Sequence, residues 1–387
     1  MSRESLFWCV KCNALLVSGE LCPLCRSMVK EVKKSEDGEL FPAFPQDVEA
    51  IRRMVDSYYG DGCGDLLFPD DRTVVLNRRM SGDVEFIANG AVLGRVVSKD
   101  GNIKANLTMP GLRIVLDKVT KHYVRCDHDS AYFVKRHRDL MAGGVLDVDD
   151  DILVGEYICI LDKSKVIACG IAKCSLKDLS DPKKPVVKIK DTVCDSYSHS
   201  GSFKKWDETV AVNRSAMAPM LTNLMRDLKS RIMYPSMPTA VLLDGSICSE
   251  AALIMAHDTG AKVAIMPVTF APRESGDDDF IGFLSGRLDI TIDDRSSIVA
   301  NRGKDWNIWS DVLFKGFVPN KYLAISGNTA APKGVQEVGI LLEKDDHKVC
   351  APLVGWSSMA VWIYVMSSGC PFNPEYFKGF LWTLESS

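Results

Sequence analysis

Four cysteines near the start of the chain have the spacing of a metal site. They form two Cys-x-x-Cys pairs in the segment "CVKCNALLVSGELCPLC", and they are Cys9, Cys12, Cys22 and Cys25. One pair in a tight turn chelates one ion, and two such turns supply the four sulfurs of a tetrahedral zinc site. Buried or redox-active cysteines, or iron in the same site, are the alternatives. Because so short a segment has almost no other core, we predict a zinc ribbon over residues 1–30 that needs structural Zn²⁺ to fold.

A second candidate site is a glycine turn between an apolar run and a helical pattern. The segment "AVLLDGSICSEAALIMA" at residues 240–256 predicts a buried strand, a tight turn and a helix, which is the arrangement of a phosphate-binding loop. Gly245 and Ser246 could form a nest of N–H groups for a pyrophosphate. A carboxylate of Asp244 at about 4 Å from a phosphate oxygen would oppose binding by roughly 4 kcal/mol, as much as one or two of the nest's hydrogen bonds contribute.

Two interpretations of this loop stay open. In the first the loop is only structural, with Gly245 making the turn and Ser249 capping the helix. In the second it is a weak or altered adenine-nucleotide site formed by Asp244, Gly245, Ser246 and Ser249. Neither interpretation identifies a catalytic residue, because the spacing of the Ser, His, Asp and Cys residues shows no nucleophile and base together. The catalytic residues are therefore unknown at this point.

The third candidate site is a concentration of basic and aromatic side chains in the middle of the chain. The basic members are Lys118, Lys121, His122, Arg125, His128, Lys135, Arg136, His137 and Arg138, and Tyr123, Tyr132 and Phe133 lie among them. Cations contact phosphates and aromatic rings stack on unpaired bases, so the cluster is typical of an RNA-binding surface. A solvated charged face is the alternative.

Composition limits the class of protein. The 387 residues are 46% hydrophobic, which is enough for two or three cores, and the net charge of −4 means that a nucleic acid must meet a local patch. The start, "MSRESLFWCVKC", lacks the pattern of a signal peptide, and no run reaches the roughly 20 apolar residues of a membrane span. We therefore expect a cytoplasmic protein with no membrane partner. Its 13 cysteines should be reduced thiols or metal ligands.

The hydrophobic pattern divides the rest of the chain into three parts. Residues 41–115 predict a small α+β domain, with a helix in "FPAFPQDVEAIRRMVDSYYG" followed by short strands. Residues 116–195 predict a β-barrel whose strands are "KHYVRCD", "AYFVKRH", "EYICILD", "VIACGIAKC" and "VVKIKDT". In residues 205–387 strands alternate with helices, which predicts parallel βαβ units in a doubly wound α/β sheet.

The barrel segment resembles the PUA domain, an RNA-binding β-barrel. The match lies in Gly144-Val145, Asp149, Ile152, Gly155 followed by Glu156 in place of the usual Asp, Ala168, Gly170 and Ala172. The resemblance implies that structured RNA, such as tRNA or rRNA, meets residues 135–145. The implied RNA-binding residues are Lys135, Arg136, His137, Arg138, Gly143 and Gly144. Relatives have a small, glycine-rich approach where this chain has His137, Asp139 and Gly143, so the contacts should differ in detail.

The last part resembles the phosphoadenosine phosphosulfate (PAPS) reductase family, whose fold is PP-loop-like. The matching positions are Pro352, Trp356, Val361-Trp362, Tyr364, Asn373-Pro374 and Tyr376. Active members carry a Ser-Gly-Gly-Lys-Asp-Ser type loop, and the positions of its Lys and Asp are here Ile247 and Cys248. Loss of both charges implies impaired nucleotide binding and catalysis. The order of zinc ribbon, small domain, PUA domain and PAPS-reductase-like domain resembles an archaeal group of proteins.

Together these features predict a four-part α/β and β protein with a PUA barrel that binds RNA and a catalytically impaired α/β domain. It would act in RNA modification or in a ribosome-related assembly, as part of a protein complex. One alternative is an enzyme that reduces PAPS or transfers sulfur or an adenylyl group to RNA with an adenine nucleotide. The other is a protein scaffold that uses the ribbon and the α/β face.

Overall fold

The computed structural model describes most of the chain. The described residues are 4–69, 72–99, 102–149, 151–175, 179–192, 202, 204–233, 238–271, 276–293, 298–301, 323–331, 334–344, 347–374, 376, 379 and 381. The predicted end of the PUA domain at residues 193–195 lies outside them. The chain forms two compact units. One contains Met1–Leu6, Leu16–Arg26 and Asp207–Lys378, and the other contains Phe7–Leu15, Ser27–Trp206 and Gly379–Ser387.

Short strands surround the first cysteines. They are β1 (Phe7–Cys9), β2 (Ala14–Leu16) and β3 (Lys30–Glu31), in the order β2-β1-β3. β1 pairs antiparallel with β3. The apolar side chains of these strands are buried, among them Trp8, Leu15 and Leu16.

The small domain packs helices on an antiparallel sheet. Its strands, in sheet order, are β4 (Gly38–Pro42), β5 (Val75–Arg79), β6 (Val84–Ala88), β7 (Ala91–Lys99) and β8 (Asn102–Leu107). Its helices are α1 (Pro45–Tyr59), α2 (Cys63–Leu67) and α3 (Met109–Val115). Pro45 begins α1 because its missing N–H is not needed in a first turn. The helix ends at Gly60, whose φ of 123° favours glycine.

One buried carboxylate ties the start of α1 to the last described residue. Asp47 is 1% exposed. Its Oδ2 accepts a hydrogen bond from the N–H of Phe44 at 3.0 Å, and its Oδ1 accepts one from the N–H of Leu381 at 2.9 Å. A Cβ on Gly379 would lie 2.8 Å from Oδ1, so the approach of the two segments requires glycine there. Both hydrogen bonds satisfy a charge that would otherwise be costly to bury.

The barrel is a six-stranded sheet. Its strands are β9 (Tyr123–Cys126), β10 (Leu140–Met141), β11 (Val145–Val148), β12 (Tyr157–Asp162), β13 (Lys165–Ala172) and β14 (Pro185–Thr192), in the order β10-β14-β13-β12-β9-β11. A cluster of buried apolar side chains fills it, including Val124, Ile160 and Val187. The prediction of a strand over 131–137 is wrong, because His128–Val134 is a helix, α4. Ala131 and Val134, three residues apart, are its buried positions, which is helical spacing.

The other unit contains a mixed sheet. Its strands are β15 (Thr239–Leu243), β16 (Val263–Ala271), β17 (Thr291–Ile292), β18 (Ile298–Asn301), β19 (Leu323–Ile325), β20 (Gln336–Val338), β21 (Leu341–Lys344) and β22 (His347–Cys350). The order is β17-β16-β15-β19-β22-β21-β20, and β18 pairs with β16. In this order, the neighbouring strands β17, β16, β15, β19 and β22 are parallel, and β18 is parallel to β16. The pairs β22–β21 and β21–β20 are antiparallel.

Four helices accompany this sheet in the described part of the chain. They are α5 (Trp206–Met233), α6 (Ile247–Asp258), α7 (Gly276–Leu288) and α8 (Ser358–Ser368). The β15-α6-β16 unit is the predicted strand, turn and helix followed by a parallel strand. Trp362 of α8 is fully buried and meets the ring of Tyr376 edge-on, with centroids 4.8 Å apart. None of the helices in the described residues combines the length and the apolar character of a membrane span.

Candidate nucleic-acid interface

The first feature of the barrel's basic face is how α4 begins. Asp127 caps the helix, because its Oδ1 accepts the N–H of Ser130 at 2.8 Å and its Oδ2 accepts the Ser130 hydroxyl at 2.9 Å. The N–H of Ser130 holds the pKa of Asp127 below its usual range. Gly144 lies directly against this cap, and a Cβ there would be 2.0 Å from the Ser130 Oγ. The cap therefore needs glycine at position 144.

The end of α4 is a tight turn fixed to β14. The N–H groups of His137 and Arg138 return to the carbonyls of Val134 and Phe133, at 3.0 and 3.2 Å. His137 takes a φ of 59°, which is the left-handed conformation that usually ends a helix with glycine. Its Nε2 lies 3.0 Å from the hydroxyl of Thr192. The turn is thus held at both its backbone and its side chain.

The exposed side of this turn carries paired aromatic rings and guanidinium groups. The rings of Tyr132 and Phe133 meet edge-on at 5.4 Å, and the side chains are 55% and 47% exposed. The guanidinium of Arg136 lies 3.5 Å from the centre of the Tyr132 ring. That of Arg138 lies 5.7 Å from the centre of the Phe133 ring. We call these four residues the α4 face.

The predicted RNA-binding residues differ in their placement. Lys135, Arg136, His137, Arg138 and Gly143 are exposed, whereas Gly144 is buried. Lys135 forms an ion pair with Asp162 at 3.3 Å, so part of its charge is already neutralised. The assignment of RNA contacts to these residues stays a prediction. Gly144 has a packing role, and we leave it out of the proposed contact surface.

A polar cluster joins the barrel to the small domain, and the sequence did not indicate it. The His122 ring stacks on Tyr58 with centroids 3.6 Å apart. Its Nδ1 lies 2.7 Å from the Tyr58 carbonyl, and its Nε2 lies 3.2 Å from a carboxylate oxygen of Glu156. The other oxygen of Glu156 accepts from Lys104 at 2.6 Å. Burial alone would raise the pKa of Glu156, but the Leu153 N–H and Lys104 lower it overall.

The four predicted zinc ligands come together in the structure. The sulfurs of Cys9, Cys12, Cys22 and Cys25 all lie within 4.8 Å of one another. The N–H of Cys12 points to the sulfur of Cys9 at 3.4 Å, which favours a thiolate there. Asn13 and Arg26, the residues after the two pairs, share a left-handed φ of 50° and 58°. A cluster of four cysteines that could hold a metal is confirmed, and the donor set fits Zn²⁺.

The glycine turn at the start of α6 is satisfied by its own side chains. The Asp244 Oδ1 accepts the N–H of Ser246 at 3.0 Å and its hydroxyl at 2.6 Å. The N–H of Ile247 donates to the hydroxyl of Tyr376 at 3.0 Å. The helix cap is Ser246 rather than the predicted Ser249, because the Ser246 side chain accepts from the Ser249 N–H. Gly245 does make the turn, with a φ of 81°.

Glu250, one turn into α6, is an isolated buried acid. Its side chain is fully buried, and neither carboxyl oxygen has a hydrogen-bond partner among the described residues. Burial raises its pKa from 4.5 to about 9. Glu250 is therefore protonated and neutral at pH 7. Sequence reasoning missed this acid, because a Glu in the first turn of a helix is usually solvated.

The comparisons with known proteins confirm one domain. A family model described as PUA domain matches residues 122–193. The uncharacterized protein MJ0066 of Methanocaldococcus jannaschii is 23% identical over 98% of this chain and 85% of that protein. Three assignments stay predictions. They are the zinc ribbon, the resemblance of the last part of the chain to PAPS reductases, and the PP-loop-like fold of that part.

Two of the similar solved structures align with 41% of this chain. The hypothetical protein PH0734.1 from Pyrococcus horikoshii is 18% identical, with a TM-score of 0.33, over 41% of this chain and 96% of its own. A conserved PUA domain protein from Thermoplasma acidophilum is 14% identical, with a TM-score of 0.31, over 41% and 96%.

Proposed function

We propose that this protein binds RNA through the α4 face of its PUA domain, and that the α/β unit contributes to assembly rather than to nucleotide chemistry. The observation that carries the proposal is the combination of the PUA family match at 122–193 with an exposed face of aromatic rings and guanidinium groups. The proposed role of the protein is that of an RNA-binding subunit that recruits a modification complex or a ribosome-related complex to RNA.

The chemistry of the α4 face fits unpaired nucleotides next to a backbone. A guanidinium over an aromatic ring offers a flat cation on which a base can stack, and the same group can donate to a phosphate. The turn that carries Arg136 and Arg138 is fixed by His137 and Thr192, so little ordering is needed when RNA binds. The Lys135 ammonium, already paired with Asp162, should contribute less than the two arginines.

The proposal for the α/β unit depends on the glycine turn. A phosphate would have to displace the Asp244 carboxylate from the Ser246 N–H, and the hydroxyl of Tyr376 from the Ile247 N–H. It would also meet the Asp244 charge. Within the described residues no ion pair or hydrogen bond brings a cation to the turn, and Ile247 stands where active members of the PAPS reductase family have Lys.

Removing the two free cations of the α4 face tests RNA binding. The Arg136→Ala, Arg138→Ala double variant should bind a tRNA transcript more weakly, with a salt slope that is less steep by about 1.4 if both contact single-stranded phosphates. Fluorescence anisotropy over a range of salt concentrations measures both quantities. The matched control is Arg226→Ala with Lys229→Ala, which removes two cations from α5. An affinity and a slope equal to those of the parent protein would refute the proposal.

A further inference from the structure

The predicted basic cluster is divided in the structure between the two ends of one strand. The residues after β9 lead into the α4 face, whereas Lys121 and His122 precede β9. β9 is a central strand of its sheet, between β12 and β11. From residue 122 to residue 127 the chain advances about 17 Å at roughly 3.3 Å per residue. The cations at the start of β9 are therefore too far from the α4 face to act on the same phosphate.

At the start of β9 lies a cleft of the small domain. It has a volume of about 320 Å³, and α1 and β8 line it with Arg53, Met54, Ser57, Tyr58, Ile103 and Lys104. Arg53 is exposed and has no hydrogen-bond or ion-pair partner among the described residues. The ammonium of Lys121 lies 3.5 Å from the carbonyl of Ser57, at the margin of the cleft. Lys104 adds a third cation, although Glu156 neutralises it.

The outer face of β9 leads from this cleft toward α4. Val124 and Cys126 point into the barrel core, so Tyr123 and Arg125 lie on the opposite face, as does Lys121 by alternation. The Arg125 guanidinium lies 5.8 Å from the centre of the Tyr123 ring. Two acids lie beside it: Asp147 is 3.7 Å from Arg125 and accepts from the Tyr123 hydroxyl, and Asp149 accepts the N–H of His122 at 2.6 Å. The charges along β9 are therefore balanced, and the excess of cations lies at its two ends, in the cleft and on the α4 face.

We propose that the α1–β8 cleft, with Arg53 and Lys121, is a second phosphate-contacting site, and that one RNA strand runs along β9 from this cleft to the α4 face. The inference rests on the proposed RNA binding and adds a site on the small domain. A stacked strand has one phosphate per 3.4 Å, so 17 Å corresponds to about five nucleotides. The ligand is a phosphodiester backbone, since the cleft offers point charges and no free aromatic face. Tyr58 is covered by His122 on one side.

The test compares two lengths of RNA on the same variant. Arg53→Ala with Lys121→Ala should reduce the salt slope for an oligoadenylate of about twelve nucleotides by about 1.4, which is roughly 25-fold in affinity at 0.1 M salt. For an oligoadenylate of about four nucleotides, which cannot span β9, affinity and slope should stay at the parent values. Both side chains are exposed, so the variant should fold. Arg226→Ala with Lys229→Ala is again the control.

The outcomes separate this inference from the proposed function. If the α4-face variant loses affinity for the longer RNA while Arg53→Ala with Lys121→Ala does not, RNA binding stands and the second site is refuted. If Arg53→Ala with Lys121→Ala weakens both lengths equally, the two ends of β9 do not act on separate nucleotides, and the inference also fails. If the parent protein binds neither the oligoadenylates nor the tRNA transcript, both proposals fail.

Discussion

Replacing Glu250 by Gln should change how the stability of the α/β unit depends on pH. The Glu250 side chain is fully buried, and no described residue offers it a hydrogen bond. Its pKa rises from 4.5 to about 9 on folding, because burial penalises the charged form. The folded protein therefore keeps a proton that the unfolded chain releases above pH 4.5.

The sign and size of the effect follow from this difference in proton binding. The contribution of Glu250 to stability is complete below pH 4.5, and it is lost by about 1.36 kcal/mol per pH unit as pH rises toward 9. The accumulated loss is about 3 kcal/mol at pH 7 and about 6 kcal/mol at pH 9. Gln has the same shape and stays neutral. Glu250→Gln should therefore match the parent protein near pH 5 and exceed it increasingly at higher pH.

Thermal unfolding of both proteins between pH 5 and pH 9 measures this difference. At pH 7 the variant should melt higher by about 6–12 °C, from the usual scaling for a unit of this size. Other groups that titrate, including the cysteines, cancel because they occur in both proteins. Glu20→Gln, at an exposed position of the same unit, should leave the pH dependence unchanged. Parallel stability curves for Glu250→Gln and the parent protein would show that Glu250 is ionised or has a partner, and would refute the reasoning.

Three further predictions concern other parts of the chain. Metal analysis should give one zinc per chain, and Cys9→Ser should release it and unfold the ribbon as judged by proteolysis; full zinc retention would contradict the assignment. Calorimetry should detect no ATP or PAPS binding tighter than millimolar, because the Asp244 carboxylate occupies the donors of the glycine turn, and a micromolar signal would restore the enzyme alternative. Gly144→Ala should destabilise the barrel by about 1–3 kcal/mol in urea unfolding, because its Cβ would lie 2.0 Å from the Ser130 Oγ, whereas Gly282→Ala, in open space on a helix, should not.

The parts of the structure that the sequence could predict are those fixed by local pattern. The four cysteines come together because two Cys-x-x-Cys turns leave few other arrangements, and β15, the glycine turn and α6 follow from an apolar run, Gly245 and a helical repeat. The strand predicted at 131–137 was wrong because "AYFVKRH" has the β-branched and aromatic residues of a strand. The Asp127 cap and the burial of Ala131 and Val134 override that local preference.

The residues that the sequence could not identify depend on tertiary contacts. Arg53 belongs to a helix far along the chain from Lys121, and only the fold brings them to one cleft. Glu250 becomes an isolated acid because α6 is buried almost all round, which no local pattern distinguishes from a solvated first turn. The helix cap is Ser246 and not the predicted Ser249, because Ser246 is the residue with extended backbone before the first turn. That geometry is set by the turn itself.

The hydrogen bond between Asp47 and Leu381 means that the C-terminal segment helps to hold the start of helix α1 in place. Shortening the protein by its last nine residues would deprive that carboxylate of the Leu381 N–H. Tags and fusions are therefore safer when joined through a flexible spacer beyond Ser387 than when they replace the tail. Fragments made to isolate the RNA-binding half would have to restore this anchor, or accept a weakened first helix.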